Sequence, residues 1–262
     1  MWLCYPYRVK IPLFKSHYSI GKSILTLSDE SEEGGSDSIF DIYTEAKLEE
    51  KLNNKIVIVE DSFMGFLQAN QSCNKLGLDL VFGLRIDVNE DQPEEKSKDN
   101  SHKVIVFAKN SDGCKSLYKI YSESKSNESF NSENLYELWD DKNLDLFVPF
   151  YDSFLFKNLF LFNSFTCDLS KFNPTFIIEQ NELPYDFLLL DYIKDYCEKN
   201  SFNTLDSKSI YYNKRIDFDA FMCYKLICSR NSFSARKSSL DKPNLDHMGS
   251  REFCLESYLE NA

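Results

Sequence analysis

The chain has 262 residues, and its 42% hydrophobic content suffices to bury a core for one large α/β domain or two small ones. Aromatic content of 15%, with 22 Phe and 15 Tyr against 8 Gly and 7 Pro, excludes a low-complexity or wholly disordered chain and predicts an aromatic core. A net charge of −12 repels phosphate backbones at long range and so disfavours autonomous DNA binding, although Lys225, Arg230, Arg236, Lys237, Lys242 and Arg251 make the C-terminal part locally basic.

In chain order, Val9–Phe14 is a short apolar strand that leads through Ser16, His17, Tyr18 and Ser19 into polar sequence. An acidic loop over 29–37 follows, and then Ile39, Ile42, Tyr43, Ala46 and Leu52 recur at helical spacing. Lys55–Glu60 is a β-branched run of the kind buried on both faces of a sheet. Phe63–Leu76 reads as a helix stopped by Gly77, Leu78–Val88 as a strand and 89–101 as a second charged loop. Lys103–Ala108 is a further strand, and a helix over Gly113–Glu123 completes the third β-α repeat. Beyond it come a strand at Leu144–Phe150, a mixed region through Ile178 and a helix at Asp186–Lys199. A strand near Ser209–Tyr212, a helix at Asp217–Ser229 and a short helical stretch over Arg251–Leu259 close the sequence. Such alternation predicts a mostly parallel sheet or barrel with functional residues just after the strands. We divide it into a β/α domain over 1–230 and a tail with a short helix over 231–262, a docking segment for a partner.

Eight cysteines, at 4, 73, 114, 167, 197, 223, 228 and 254, show no Cys-x-x-Cys spacing, and no secretory leader precedes them, so they read as reduced thiols of a cytoplasmic protein. No window approaches the ~18 apolar residues of a membrane helix. Gly21-Lys-Ser23 lacks the earlier glycine of a phosphate-binding loop, where Ser16 stands instead. Cys223 and Cys228 read as core packing. The aromatic run Phe147, Phe150, Tyr151, Phe154, Phe156, Phe160, Phe162 and Phe165 reads as core or buried interface rather than a base-stacking platform.

The strand ends carry a resemblance. Lys15-Ser-His-Tyr-Ser19 resembles His-x-His-Ser-x-Tyr-Ser, and Val59-Glu-Asp-Ser62 resembles Leu-Thr-Asp-His. Asn74 to Ile86 is similar to a helix end followed by Gly-Ile-Lys-Pro-Ile-Ile-Gly-x-Glu. His102 to Tyr118, with Ala108-Lys-Asn-Ser-Asp-Gly113 at its centre, is close to Leu-Leu-Ala-Lys-Asn-x-x-Gly-Tyr-x-Asn-Leu. Ser209-Ile-Tyr-Tyr212 stands where Asp-Val-His-Tyr is found, and Asp217–Cys228 resembles the helix that follows it. In this order the motifs are those of the PHP (polymerase and histidinol phosphatase) domain that opens the α subunit of bacterial-type DNA polymerase III. The resemblance spans most of the chain and implies a distorted β/α barrel of PHP type.

Active PHP domains hold two or three metal ions on histidines and carboxylates, which generate a hydroxide and stabilise a displaced phosphate. On this alignment the ligand positions fall on Leu13, Lys15, Asp61, Ser62, Arg85, Tyr151, Ser209 and Tyr211, of which only Asp61 keeps a ligand type. Lys15 and Arg85 bring fixed positive charge where cations would bind, and we expect them to pair with Asp61 or Glu60. The chain has three histidines, too few for a multi-histidine centre: His17 reads as an exposed loop residue, and His102 and His247 as surface residues. We therefore expect no confident catalytic residue, no metal and no cofactor.

The resemblance implies a non-catalytic scaffold of a replicative polymerase. Its partners would be the remaining polymerase subunit or domains and a proofreading exonuclease, with DNA met only indirectly and no membrane. Whether such a chain is a piece of a split polymerase or a standalone relative stays open. Two alternatives remain beside it: a phosphoesterase or nuclease rebuilt around Glu60, Asp61 and Arg85, and a regulatory mimic of the polymerase domain.

Overall fold

The computed structural model describes residues 10–28, 37–90, 101–161, 165–228 and 249–261. Seven strands succeed one another in chain order and close into a barrel: β1 (Ile11–Phe14), β2 (Lys55–Glu60), β3 (Asp79–Asn89), β4 (Ser101–Ala108), β5 (Leu144–Val148), β6 (Thr175–Ile178) and β7 (Asn203–Ile210). β1 pairs in parallel with β2 and β7, and β6 with β5 and β7, whereas β4 runs antiparallel to both β3 and β5. The protein is thus an α/β barrel of mixed, mostly parallel strands. Covering a barrel with helices buries strands on both faces, which is why the apolar runs Ile56–Val59 and Val104–Phe107 are continuous rather than alternating.

Two strands are less apparent in the sequence. β6 has four residues, too few to establish a period, and lies in the region read as mixed. β7 begins at Asn203, six residues before the expected start, because three of its first four residues are polar and exposed and Leu205 alone gives no alternation to read. The strands are connected by α1 (Ile39–Leu48), α2 (Phe66–Leu76), α3 (Ser111–Ser126), α4 (Ser132–Glu137), α5 (Phe154–Phe160) and α6 (Asp186–Asn200). After β7 come α7 (Phe218–Cys228) and α8 (Leu255–Glu260). Gly77 ends α2 as expected, in the left-handed region at φ 63°, with its N–H donating to the Cys73 carbonyl.

The chain divides into two compact units, and the first contains Gly83–Glu179 and Pro184–Asp206. Here the β3–β4 register places Val88 opposite His102 and Asn89 opposite Ser101, so Glu90 and His102 meet at the end of this strand pair. Asn110 caps α3 by accepting from the Gly113 N–H at 2.9 Å, Asn131 forms a capping box with Asn134 on α4, and Ser153 caps α5. α3 starts two residues before the expected Gly113, which lies inside its first turn. A Cβ at Gly113 would fall 2.2 Å from the Asn143 carbonyl oxygen, which is backbone and cannot swing aside. Gly113→Ala is therefore expected to destabilise the protein by about 1–3 kcal/mol, read as a lower thermal midpoint, whereas Gly77→Asn, at an open left-handed cap, should change it far less.

The second unit contains Val9–Phe82, Gln180–Leu183 and Ser207–Ala262. Phe14, Leu25, Leu27, Phe40 and Tyr43 fill its interior, and the Tyr43 hydroxyl donates to the Lys55 carbonyl at 2.7 Å. Residues 231–248 of the expected tail, including His247, lie outside the described residues. The remainder packs inside this unit: Phe253, Cys254, Leu255 and Tyr258 are buried, and the Tyr258 hydroxyl donates to the Lys10 carbonyl at 2.9 Å. The apolar side of the expected docking helix is thus occupied by its own chain.

Candidate functional sites at the strand ends

The end of β1 and the end of β2 meet in the second unit. Lys15, with only 3% of its side chain exposed, places Nζ 2.9 Å from Asp61 Oδ1. Beside it Glu60 is fully buried: Oε1 accepts the Ser16 N–H at 2.7 Å and Oε2 accepts the Ser19 hydroxyl, whose oxygen in turn accepts the Asp61 N–H at 3.0 Å. Burial pushes the Glu60 carboxyl above the usual carboxylate range, and the Lys15 charge and the two serines pull it partly back. Lys15 thus pairs with Asp61, one of the two partners the sequence suggested.

The other aligned positions are filled with packing. Leu13 is buried on β1, in register with Val57 on one side and Ser209 on the other. Ser62 accepts the Met64 N–H at 3.3 Å as a turn cap. Tyr211 is buried in a stack between Phe221 and Phe253, at centroid distances of 6.0 and 5.3 Å. Gly21 sits in a turn at φ 71°, and the Ser23 hydroxyl donates to the Tyr211 carbonyl at 2.8 Å, so this glycine-lysine-serine segment is structural. His17 is half-buried against Tyr18 at 4.4 Å rather than exposed.

In the first unit Arg85 Nη2 lies 3.1 Å from Asp152 Oδ2, a partner that the sequence did not suggest. Asp152 adopts φ 63°, a left-handed conformation that Asp tolerates better than most residues, and its carbonyl accepts the Lys103 N–H at 2.9 Å. Tyr151, at the aligned Cys or His position, donates its hydroxyl to Asp186 Oδ1 at 2.8 Å, with both residues buried.

A second cluster in this unit was missed. His102 is fully buried, not a surface residue, because the strand end that carries it is covered by Phe154 and Phe165, with ring centroids at 5.6 and 5.8 Å. Its Nε2 lies 3.2 Å from Cys167 Sγ and 3.7 Å from Glu90 Oε1. Burial and the Glu90 carboxylate push the Cys167 thiol far above its ordinary value. Glu90 also lines a cleft of about 540 Å³ with Asn131, Glu133, Glu137, Thr166 and Asp168. The only sequence signal was a lone His beside a charged loop, with Cys167 sixty-five residues away. Cys223 and Cys228, read as core, are exposed, because α7 buries only Phe221 and Met222.

Fold and strand ends together define an α/β barrel whose aligned strand-end positions hold part-buried ion pairs and aromatic packing. Comparison with known proteins finds no protein-family model that matches the chain and no matching curated protein. Among the described residues no helix is long and apolar enough to cross a membrane.

Proposed function

We propose that the chain is a non-catalytic structural and interaction module of the PHP type, serving a replicative polymerase of the DNA polymerase III α kind. The observation that supports this reading is the Lys15–Asp61 pair at 2.9 Å, because on the PHP alignment Lys15 stands at the position of a metal-binding imidazole. The donor set does not fit the family's metal centre: a fixed cation repels a divalent ion at this range, and Leu13, Ser62 and Tyr211 offer it no strong ligand. The partners on this reading are the polypeptide carrying the polymerase palm and a proofreading exonuclease.

The test is hydrolysis of p-nitrophenyl phosphate and single-stranded DNA by the purified chain with added Mn²⁺ or Zn²⁺, beside co-purification with a palm-bearing polymerase polypeptide. We expect stable co-purification and turnover no higher in the wild type than in Asp61→Ala. Turnover abolished by Asp61→Ala would replace the scaffold reading with a rebuilt phosphoesterase.

A further inference from the structure

We infer that Glu90, His102 and Cys167 form a binding site for one transition-metal ion of the zinc class, separate from the strand-end positions of Lys15 and Asp61. The three side chains offer a carboxylate oxygen, an imidazole nitrogen and a sulfur, all within 4.8 Å of one another. Around a tetrahedral zinc ion, Zn–N of about 2.0–2.1 Å and Zn–S of about 2.3 Å place neighbouring ligand atoms roughly 3.3–3.6 Å apart. The observed separations of 3.2 Å from Cys167 Sγ to His102 Nε2 and 3.7 Å from His102 Nε2 to Glu90 Oε1 bracket that spacing. Small side-chain adjustments bring all three donors onto a common ion.

A second observation points the same way. Among the described residues, Glu90 Oε1 is a buried atom without a hydrogen-bond partner, and it faces the fully buried His102 ring. A carboxylate oxygen taken out of water with no donor is unfavourable, and a cation held between it, the imidazole and a thiolate removes that penalty. Binding requires Cys167 to lose its proton to solvent, with the thiolate sulfur forming the metal bond.

The surroundings suit an ion of this class. The mixed nitrogen, sulfur and oxygen set favours zinc over magnesium or calcium, which take oxygen shells. Phe154 and Phe165 enclose the imidazole side. On the other side, among the described residues, the cleft carries the carboxylates of Glu90, Glu133, Glu137 and Asp168 against the one cation Lys171, a negative approach path for a cation. Three protein ligands leave a fourth position for a water molecule from that cleft, the arrangement of an open rather than a closed zinc site.

The test uses the full chain, stripped with chelator and titrated with Co²⁺ alone and then with Zn²⁺. We expect one Co²⁺ per chain, tetrahedral visible absorption and a thiolate-to-cobalt charge-transfer band in the near ultraviolet, all displaced by Zn²⁺. Cys167→Ser should abolish the charge-transfer band. Glu90→Gln, a near-isosteric change close to the surface and checked for folding by circular dichroism, should weaken binding by about tenfold or more. Asp61→Asn and the exposed-thiol double variant Cys223→Ser/Cys228→Ser should bind as the wild type does. Absence of stoichiometric binding, or a charge-transfer band that survives Cys167→Ser, would overturn the site. Neither result bears on the scaffold reading, which rests on the Lys15–Asp61 pair and is tested separately by Asp61-dependent hydrolysis and co-purification.

Discussion

Lys15→Met is expected to destabilise the protein by about 3 kcal/mol, measured as a lower urea midpoint followed by circular dichroism. The lysine is buried and faces two carboxylates, Asp61 at 2.9 Å and the fully buried Glu60, so its removal leaves Glu60 without a cation in a low-dielectric site. Breaking a buried pair in this way costs about 3–5 kcal/mol, and the lower end applies because Asp61 is a third exposed and regains water. Asp61→Asn should cost only about 1 kcal/mol, since Lys15 keeps Glu60 as its counter-charge. Combining Lys15→Met with Glu60→Gln should recover part of the loss, because the amide can still accept the Ser16 N–H without carrying a buried charge. Equal effects for Lys15→Met and Asp61→Asn would mean that the pair acts as an ordinary surface bridge.

How much of this was legible in the sequence depended on the range of the forces involved. β2, at Lys55–Glu60, and α6, at Asp186–Asn200, follow from local patterning: an unbroken β-branched run in one case, helical spacing in the other. The Lys15–Asp61 pair was legible as well, because the strand order brings the first two strand ends together and opposite charges stood at both. By contrast, Arg85 meets Asp152 only through the turn after β5, whose left-handed Asp152 has no sequence signature comparable to a glycine. The burial of His102 depends on Phe154 and Phe165 arriving from more than fifty residues away, and nothing near His102 marks it as interior. Cys223 and Cys228 failed for the opposite reason: α7 is apolar almost all round, so its composition does not say which face is covered.

The acid side of the stability profile should be governed by Glu252, and Glu252→Gln should remove most of it. Arg215 reaches Glu252 through two nitrogens, at 2.8 and 3.0 Å, and Glu260 through two contacts at 2.9 and 2.7 Å, tying the turn after β7 to α8. Lys208, fully buried, donates to the Ser257 hydroxyl at 2.8 Å, and that hydroxyl donates to Glu252. The Arg215 fork, opposed by burial and helped by Ser257, holds the Glu252 carboxyl down at about 2, against an ordinary value of 4.5. A folded-state value below the unfolded one means that the stabilisation is present above pH 4.5 and is lost as the pH falls from 4.5 towards 2; its size is roughly 2 kcal/mol once screening at the partly exposed Arg215 is allowed for. Glu60 has the opposite sign. Its value is raised, so the unfolded chain releases that proton first, and stability declines as the pH rises from 4.5 through the folded-state value. Urea midpoints taken across pH 2–8 should therefore show a steep acid limb that flattens in Glu252→Gln, and a shallow decline above pH 4.5 that flattens in Glu60→Gln. Glu260, also held down by Arg215, leaves a residual acid slope in the first variant. An acid limb unchanged by Glu252→Gln would place its origin outside the Arg215 clasp and would leave α8 held by the apolar contacts of Phe253, Leu255 and Tyr258 and by hydrogen bonds such as that from the Tyr258 hydroxyl to the Lys10 carbonyl.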